Sequence, residues 1–186
     1  MTADPPGPAP TTPSWSLRRA VAADYDAIVL IQRAAYAANR ERLGVEPLPL
    51  LLDYRDVLET LEVWIAGVPA EPGVRAEQRL SRARPHGVEF EGECDPAGVL
   101  IIDARADTFT IESIAIHPAH QGCRLGASLL AAGELRARAL GFKHVLLYTG
   151  RPLTHLIDWY QRAGYAIDRI EPLADREIVH LRKSLT

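Results

Sequence analysis

The chain has 186 residues, of which 47% are hydrophobic, and its 21 Lys and Arg against 24 Asp and Glu give a formal net charge of −3. This length and apolar content suffice for one domain with a sizeable core. The charge balance argues against nucleic acid as a partner, and no apolar run approaches the ~20 residues of a membrane span.

The cysteines and the N-terminal segment predict a cytoplasmic protein. Cys94 and Cys123 are the only cysteines, too few for a disulfide framework. Residues 1–14 have no basic stretch followed by an apolar one, so they do not resemble a secretory signal. Their proline content predicts a disordered tail ahead of a single domain over residues 15–186.

The first half of the chain predicts strands and helices in alternation. Residues 15–21 suggest a strand, and Asp24 is expected to cap a helix that ends near Gly44. The apolar residues at helical spacing in that helix are Tyr25, Ile28, Ile31 and Ala35. Asp53 is expected to cap a short second helix. Its shared apolar face consists of Tyr54, Val57, Leu58 and Leu61.

Residues 63–67 and 98–103 predict the second and third strands, rich in β-branched and bulky apolar residues. The insertion between them, 68–93, is far longer than a hairpin loop. It contains several arginines, namely Arg75, Arg79, Arg82 and Arg84. The insertion is therefore either a basic flap near bound phosphates or a solvated, mobile loop.

A fourth strand begins at Thr110 and leads through a tight turn into a helix that Gly141 ends as a C′ residue. The residues expected to be buried on that helix are Leu125, Leu129, Ala132, Leu135 and Ala139. Residues 144–149 form an almost continuous apolar run, typical of a strand covered on both faces. The helical crossover makes this strand parallel to the fourth, so the sheet is predicted to be mixed.

The remaining sequence predicts one more helix and a strand pair. The helix opens around Pro152 and Thr154, and Gly164 ends it. Leu153, Ile157, Tyr160 and Ala163 lie along one side of it. A hairpin around 173–175 then joins the last two strands, which brings the total to about seven.

The turn after the fourth strand is the main candidate for a binding site. A strand that feeds through a glycine-bearing turn into a helix presents unpaired N–H groups and the positive end of the helix dipole, which suits a phosphate. The turn and helix start consist of Gln121, Gly122, Cys123, Arg124, Leu125, Gly126, Ala127 and Ser128. A plain strand-to-helix connection is the alternative. The turn lacks the features of a P-loop or a dinucleotide fingerprint.

Over residues 15–185 the chain resembles the GNAT superfamily of acetyl-CoA-dependent N-acetyltransferases. The resemblance lies in IESIAIHPAHQGCRLGASLL, in LLYTGRPLTHLIDWYQRAGY and in the closing strand pair. It implies an α/β fold of three layers (α/β/α) around a mixed, mostly antiparallel sheet in which strands four and five are parallel and splayed. It also implies that Ile114, Ala115 and Ile116 hold the pantetheine arm of acetyl-CoA, with the pyrophosphate on the turn.

Two residues depart from the family pattern. The turn is usually Gln/Arg-x-x-Gly-x-Gly/Ala, and Arg124 stands at the middle glycine. Arg124 can still offer its backbone N–H to the phosphate if its backbone angles are ordinary helical ones. Leu156 stands where the family often has an asparagine four residues before the helix tyrosine.

The resemblance also suggests which residues transfer protons in the reaction. An alkyl ammonium must lose a proton before its nitrogen attacks a thioester, and an acid helps the thiolate leave. By resemblance, Glu112 is the base acting through water and Tyr160 the group that donates to the coenzyme sulfur. Alternatively, Glu112 is only a polar residue at a strand end and Tyr160 only a core aromatic.

The implied activity is transfer of an acetyl group from acetyl-CoA, a co-substrate, to a primary amine of a small molecule, protein or peptide. No metal is expected, although His117, His120 and Cys123 lie close in sequence, because a fourth ligand is missing. A monomer or homodimer with no membrane partner is expected. The alternatives are a non-catalytic acyl-CoA-binding module of the same fold, or an interaction protein with no CoA affinity.

Overall fold

The computed structural model describes residues 15–69, 94–105 and 107–185. These residues contain seven strands, Ser16–Arg19 (β1), Glu62–Pro69 (β2), Cys94–Asp103 (β3), Thr110–Ile116 (β4), His144–Gly150 (β5), Ala166–Pro172 (β6) and Glu177–Ser184 (β7). The α-helices in the same part of the chain are Tyr25–Leu43 (α1), Tyr54–Thr60 (α2), Leu125–Ala139 (α3) and Thr154–Arg162 (α4). Short 3₁₀ turns lie at Ala22–Asp24, Leu48–Leu51 and Pro118–His120.

One sheet contains all seven strands in the order β1-β2-β3-β4-β5-β7-β6. Every neighbouring pair is antiparallel except β4 and β5, which run parallel and pair only where Thr110 and Ile111 face Leu146 and Leu147. Beyond these positions the two strands share no further pairs, so a cleft opens between them. This confirms the predicted mixed sheet with splayed parallel strands.

Helices cover both faces of the sheet. In β3, Leu100 and Ile102 pack into the cluster under α3 and α4, while Val99 and Ile101 pack into the cluster under α1 and α2. Side chains alternate between faces along a strand, so this central strand is buried on both sides. The result is the three-layer α/β/α architecture that the family resemblance implied.

The two aspartates predicted as helix caps behave differently. Asp53 has an extended backbone and accepts a hydrogen bond from the N–H of Arg55 at 2.9 Å, so it caps α2 as predicted. Asp24 stands at the N-cap position of α1, as predicted, but its side chain makes no capping hydrogen bond to that helix. A 3₁₀ turn brings Asp24 into helical backbone angles already, and its buried carboxylate accepts from both terminal nitrogens of Arg18 at 2.7 Å and from the Val21 N–H.

The buried face of α3 also differs from the prediction. Leu135 is 66% exposed and Ala139 is exposed, whereas Gly133 and Ala137 face the sheet. A Cβ at Gly133 would lie 2.8 Å from Cδ1 of Ile111. The helix therefore approaches the sheet along small residues, including Gly133 and Ala137, and Leu135 lies on the solvent-exposed side of the helix.

Several boundaries in the second half are confirmed. Gly141 and Gly164 both have positive φ angles, 83° and 92°, and they follow α3 and α4 as predicted. The β6–β7 hairpin turns around Leu173–Asp175. The strand β5 is buried on one face only, since Tyr148 on its other face is half-buried. This corrects the expectation of burial on both faces.

The connection between β2 and β3 begins later than predicted. Pro69 pairs with Cys94, so residues 68 and 69 belong to the strand and not to an insertion. The rest of the predicted insertion and its arginines lie outside the described residues, as does the predicted tail at 1–14. None of the helices in the described part of the chain has the length and apolarity to span a bilayer.

Candidate active site

A cavity of about 730 Å³ lies where β4 and β5 diverge. Its walls come from α1, the Leu48–Leu51 turn, the unpaired parts of β4 and β5, the N-terminus of α3, and α4. The divergence of the two strands creates this space, because neither strand fills the gap between them. Residues from segments that are far apart in the sequence thus meet around one opening.

One end of this cavity is the turn between β4 and α3, which we call the cradle, residues 121–127. Gly122 has a φ of 84°, in the left-handed region that glycine tolerates best. Arg124 has a φ of 64° and a ψ of 7°. The condition of ordinary helical angles at Arg124 is therefore not met: among the described residues it alone, apart from glycines, has a positive φ. The turn imposes this backbone shape even on a residue that disfavours it.

The cradle leaves backbone N–H groups free for a ligand. No side chain caps the start of α3, and its first turn contains no acidic residue. The N–H of Ser128 donates to the carbonyl of Arg124 at 3.1 Å, so the earlier N–H groups of residues 125–127 are those that helix geometry leaves without a partner. These residues line the cavity. These free N–H groups and the positive end of the helix dipole suit a negatively charged ligand.

Most of the residues predicted to bind the cofactor surround the cavity. Those that line it are Ile114, Ile116, Gln121, Gly122, Arg124, Leu125, Gly126 and Ala127. The amide of Gln121 donates to the carbonyl of Ile116 at 3.1 Å, which braces the turn against β4.

Three of the predicted cofactor residues lie elsewhere. Ala115 is 1% exposed and packs under α1, because alternate residues of a strand face opposite sides. Cys123 is exposed, and its thiol lies 2.8 Å from the carbonyl of His120. Ser128 does not line the cavity, and its N–H is already used within the helix.

Glu112 lies on the cavity wall with a partner that the sequence analysis missed. The hydroxyl of Tyr148 on β5 donates to Oε2 of Glu112 at 2.9 Å. Burial raises the pKa of the Glu112 carboxyl above its usual value, although the hydrogen bond from Tyr148 opposes this. Burial and the Glu112 charge raise the pKa of Tyr148, so its phenol stays protonated and remains a donor. One indication of this position was present in the sequence: Tyr148 follows Leu147 in the strand, so the two side chains lie on opposite faces of the sheet.

Tyr160 lines the same cavity from α4 and is 9% exposed. Its ring contacts those of Trp159 and Tyr165, with centroids 4.8 and 5.9 Å away. Burial raises the pKa of the Tyr160 phenol. The hydroxyl is therefore held in its protonated form at neutral pH, beside the space between the two strands.

A second tyrosine enters the cavity from α1 and was also missed. The hydroxyl of Tyr36 lies 3.2 Å from Oγ of Ser113, which also exchanges hydrogen bonds with the buried amide of Gln32 at 3.0 and 3.1 Å. Burial raises the pKa of Tyr36. Because Ser113 follows Glu112 on β4, this buried network fixes α1 next to Glu112.

The histidines near the cradle make local contacts. Nδ1 of His117 accepts a hydrogen bond from the N–H of Ala119 at 3.3 Å. In the described ranges, no group of three or more His, Cys, Asp or Glu residues is arranged to hold a metal ion.

The family model described as "Acetyltransferase (GNAT) family" matches residues 54–165, which include α2 to α4 and the whole cradle. No curated protein matches the sequence.

Solved structures share the fold at low sequence identity. A GNAT family acetyltransferase from Elizabethkingia anophelis with acetyl-CoA bound is 17% identical, with a TM-score of 0.59 over 92% of this chain and 98% of that one. The ribosomal-protein-S18-alanine N-acetyltransferase from Escherichia coli is 16% identical, with a TM-score of 0.64 over 93% and 95%. The PaiA N-acetyltransferase from Thermoplasma acidophilum, in complex with coenzyme A, is 12% identical, with a TM-score of 0.63 over 92% and 99%.

Proposed function

This chain belongs to the acetyltransferase (GNAT) family, and from that premise we propose that it transfers an acetyl group from acetyl-CoA to a primary amine. The amine belongs to a small molecule, protein or peptide and attacks directly in a ternary complex. One observation carries the proposal: the uncapped start of α3 opens into the same cavity as Glu112 and Tyr160. An anion site and two proton-handling groups thus adjoin one space.

The cradle supports acetyl-CoA as the acyl donor. In this proposal the pyrophosphate accepts hydrogen bonds from N–H groups of residues 122–127, and the guanidinium of Arg124 adds a positive charge beside it. The pantetheine arm lies along Ile114 and Ile116, which places the thioester in the gap between β4 and β5. Leu156 lines the cavity and offers an apolar contact where an asparagine would offer a hydrogen bond.

The transfer step uses Glu112 and Tyr160. Glu112 takes a proton from the acceptor ammonium through water, which leaves a nitrogen lone pair to attack the carbonyl carbon. The new C–N bond forms as the C–S bond breaks, and the bond's electron pair leaves on sulfur. Tyr160 protonates or hydrogen-bonds that sulfur, and the newly acylated nitrogen releases its second proton to water, from which Tyr160 regains any proton it has donated. The products are an acetamide and free coenzyme A. The raised pKa of Glu112 suits this role, because a base works best near the working pH.

The base role is tested with Glu112→Gln. General base catalysis is typically worth ~10² to 10⁴ in rate, so turnover should fall by that range, most at low pH where fewer amines are already deprotonated. Acetyl-CoA affinity should be unchanged in calorimetry. Since the folded-state pKa of Glu112 is raised, its ionisation costs stability as the pH rises through that pKa, so the Gln variant should melt no lower than wild type at neutral pH.

A matched control is Glu59→Gln, which removes an exposed carboxylate on α2 outside the cavity and should leave turnover unchanged.

Tyr160→Phe tests the proposed role of Tyr160 toward the coenzyme sulfur. Turnover should drop, and the deficit should shrink with an acyl donor whose thiol leaves more easily. Wild-type turnover in both cavity variants would refute this mechanism. Acetyl-CoA binding without coenzyme A release for any amine would instead indicate a non-catalytic module.

A further inference from the structure

The end of the cavity away from the cradle, which we call the acceptor chamber, has its own charge pattern. Its wall includes Tyr36, Asn39, Arg42, Leu43, Pro49 and His155. These residues come from α1, the 3₁₀ turn that follows it, and the first turn of α4. If the cradle takes the acyl donor, this chamber is the space left for the acceptor.

Arg42 is the cation of the chamber that has hydrogen-bonding capacity to spare. Its Nη1 contacts the ring nitrogens of His155 at 3.1 Å, and the structure records no other hydrogen bond of this guanidinium among the described residues. A guanidinium has five N–H donors, so most of them remain for a ligand. Arg176 also lines the cavity, but it is occupied by the Asp175 carboxylate and by the carbonyl of Glu46.

Glu112 is the sole carboxylate among the described residues that line the cavity. The cation and the anion stand apart. The hydroxyl of Tyr36 contacts Ser113, next to Glu112, and Arg42 lies six positions further along α1, about 9 Å of helix axis. The cavity that both line also has apolar wall residues, including Leu43 and Pro49. A carboxylate and a guanidinium that stand apart in one cavity are complementary to a ligand with an ammonium at one end and a carboxylate at the other.

We propose that the acetyl acceptor is an amine that also carries a carboxylate, with the amine at Glu112 and the carboxylate held by Arg42. This inference rests on the proposed function. The spacing favours charges separated by several bonds, as in an ω-amino acid or in an amine beside an acidic residue of a peptide. Polyamines are poor acceptors, because their second ammonium lies against Arg42.

The test is a set of acceptors that differ in one charge. Unbranched ω-amino acids of increasing length are compared with their methyl esters and with diamines of the same length, by coenzyme A release. Arg–carboxylate bonds are charge-assisted, so the best amino acid should exceed its ester by about tenfold in kcat/KM, mainly through KM. A short peptide with an N-terminal amine and an acidic second residue distinguishes a peptide acceptor from a free amino acid.

Arg42→Ala should remove the preference for the acid, and Arg42→Glu should reverse it in favour of the diamine. The matched control is Arg33→Ala, which removes an exposed charge from the same helix outside the cavity and should keep the preference. Arg42 is exposed, so all three variants should melt as wild type.

These experiments distinguish a wrong assignment of the acceptor carboxylate from a wrong assignment of the transfer reaction. Equal use of acid and ester by wild type, or an unchanged preference in Arg42→Ala, would overturn the carboxylate assignment while leaving acetyl transfer intact. No acetylation of any amine, despite acetyl-CoA binding, would overturn the transfer reaction and this inference with it.

Discussion

The two ends of the cavity are built by different means. The cradle comes from one continuous segment, in which β4, a turn and α3 follow one another, and its chemistry lies in backbone N–H groups. The acceptor chamber is assembled from side chains far apart in sequence: Tyr36 meets Ser113 across 77 positions, and Arg42 meets His155 across 113. A local motif can encode the first end, whereas only the packed fold creates the second.

The two ends of the cavity should therefore respond differently to amino-acid substitutions. The backbone of the cradle depends on the angles of residues 122–124, so its binding properties respond to what blocks or reshapes the turn. The chamber depends on individual functional groups, so single hydroxyl or charge deletions there should alter rate, pH dependence or acceptor choice with little effect on acetyl-CoA. Three substitutions probe this contrast.

The largest effect is expected from Gly126→Glu in the cradle. The carboxylate would stand at the positive end of α3, where the pyrophosphate is proposed to bind, so acetyl-CoA affinity should fall at least about a hundredfold. Gly126→Ala is the control, because its Cβ would lie 3.7 Å from Cγ1 of Ile116, an ordinary contact, and it should bind nearly as wild type. Isothermal titration with acetyl-CoA measures both. Unchanged affinity in the Glu variant would refute the cradle assignment.

A smaller effect is expected from Tyr148→Phe at the chamber side. The Tyr148 hydroxyl stabilises the charged form of Glu112, so its loss should raise the pKa of Glu112 further. Glu112 must be ionised to act as a base, and the acid limb of the pH–rate profile should therefore move to higher pH, with rates converging above it. Acetyl-CoA affinity should not change.

The control for Tyr148→Phe is Tyr25→Phe, which removes a hydroxyl from α1 outside the cavity and should leave the profile in place. An acid limb that stays at the wild-type pH in Tyr148→Phe would mean that Tyr148 does not tune the base. A uniform loss of rate at all pH values would point to a structural role for the hydroxyl.

The smallest effect is expected from Arg124→Gly. Glycine adopts a φ of 64° without the Cβ clash, so unfolding free energy should rise by up to ~1 kcal/mol, partly offset by the greater freedom of glycine in the unfolded chain. In a chain of this length that corresponds to roughly 2–4 °C in Tm. Arg124→Ala removes the same cation but keeps the Cβ, so only the Gly variant should gain stability.

Acetyl-CoA affinity separates the cation of Arg124 from its backbone. Both variants should bind acetyl-CoA more weakly, and by a similar factor, because each removes the guanidinium beside the proposed pyrophosphate site. A Gly variant that melts no higher than the Ala variant would show that the left-handed backbone is not strained in this turn.

By itself the sequence determined the elements and the cradle. Glycines at 44, 141 and 164 end helices because the left-handed backbone there favours residues without a Cβ, a purely local requirement. The helical crossover between the fourth and fifth strands likewise predicted a mixed sheet, whereas the helices on both faces were implied by the family resemblance. The strand-turn-helix order predicted the cavity-lining part of the cradle, since its chemistry lies in contiguous backbone.

Only the tertiary structure decided which side chains meet. In the sequence, Tyr148 looks like one more apolar residue of β5, but in the structure its hydroxyl contacts Glu112 on β4. Arg42 likewise looks like a solvent-facing charge, but the tertiary fold brings His155 of α4 into contact with it. The same holds for Arg124, whose backbone angle follows from the closure of the turn and overrides its own preference. Periodicity assigns a residue to a face of its element, whereas convergence at a site depends on how distant elements pack, and no local pattern carries that information.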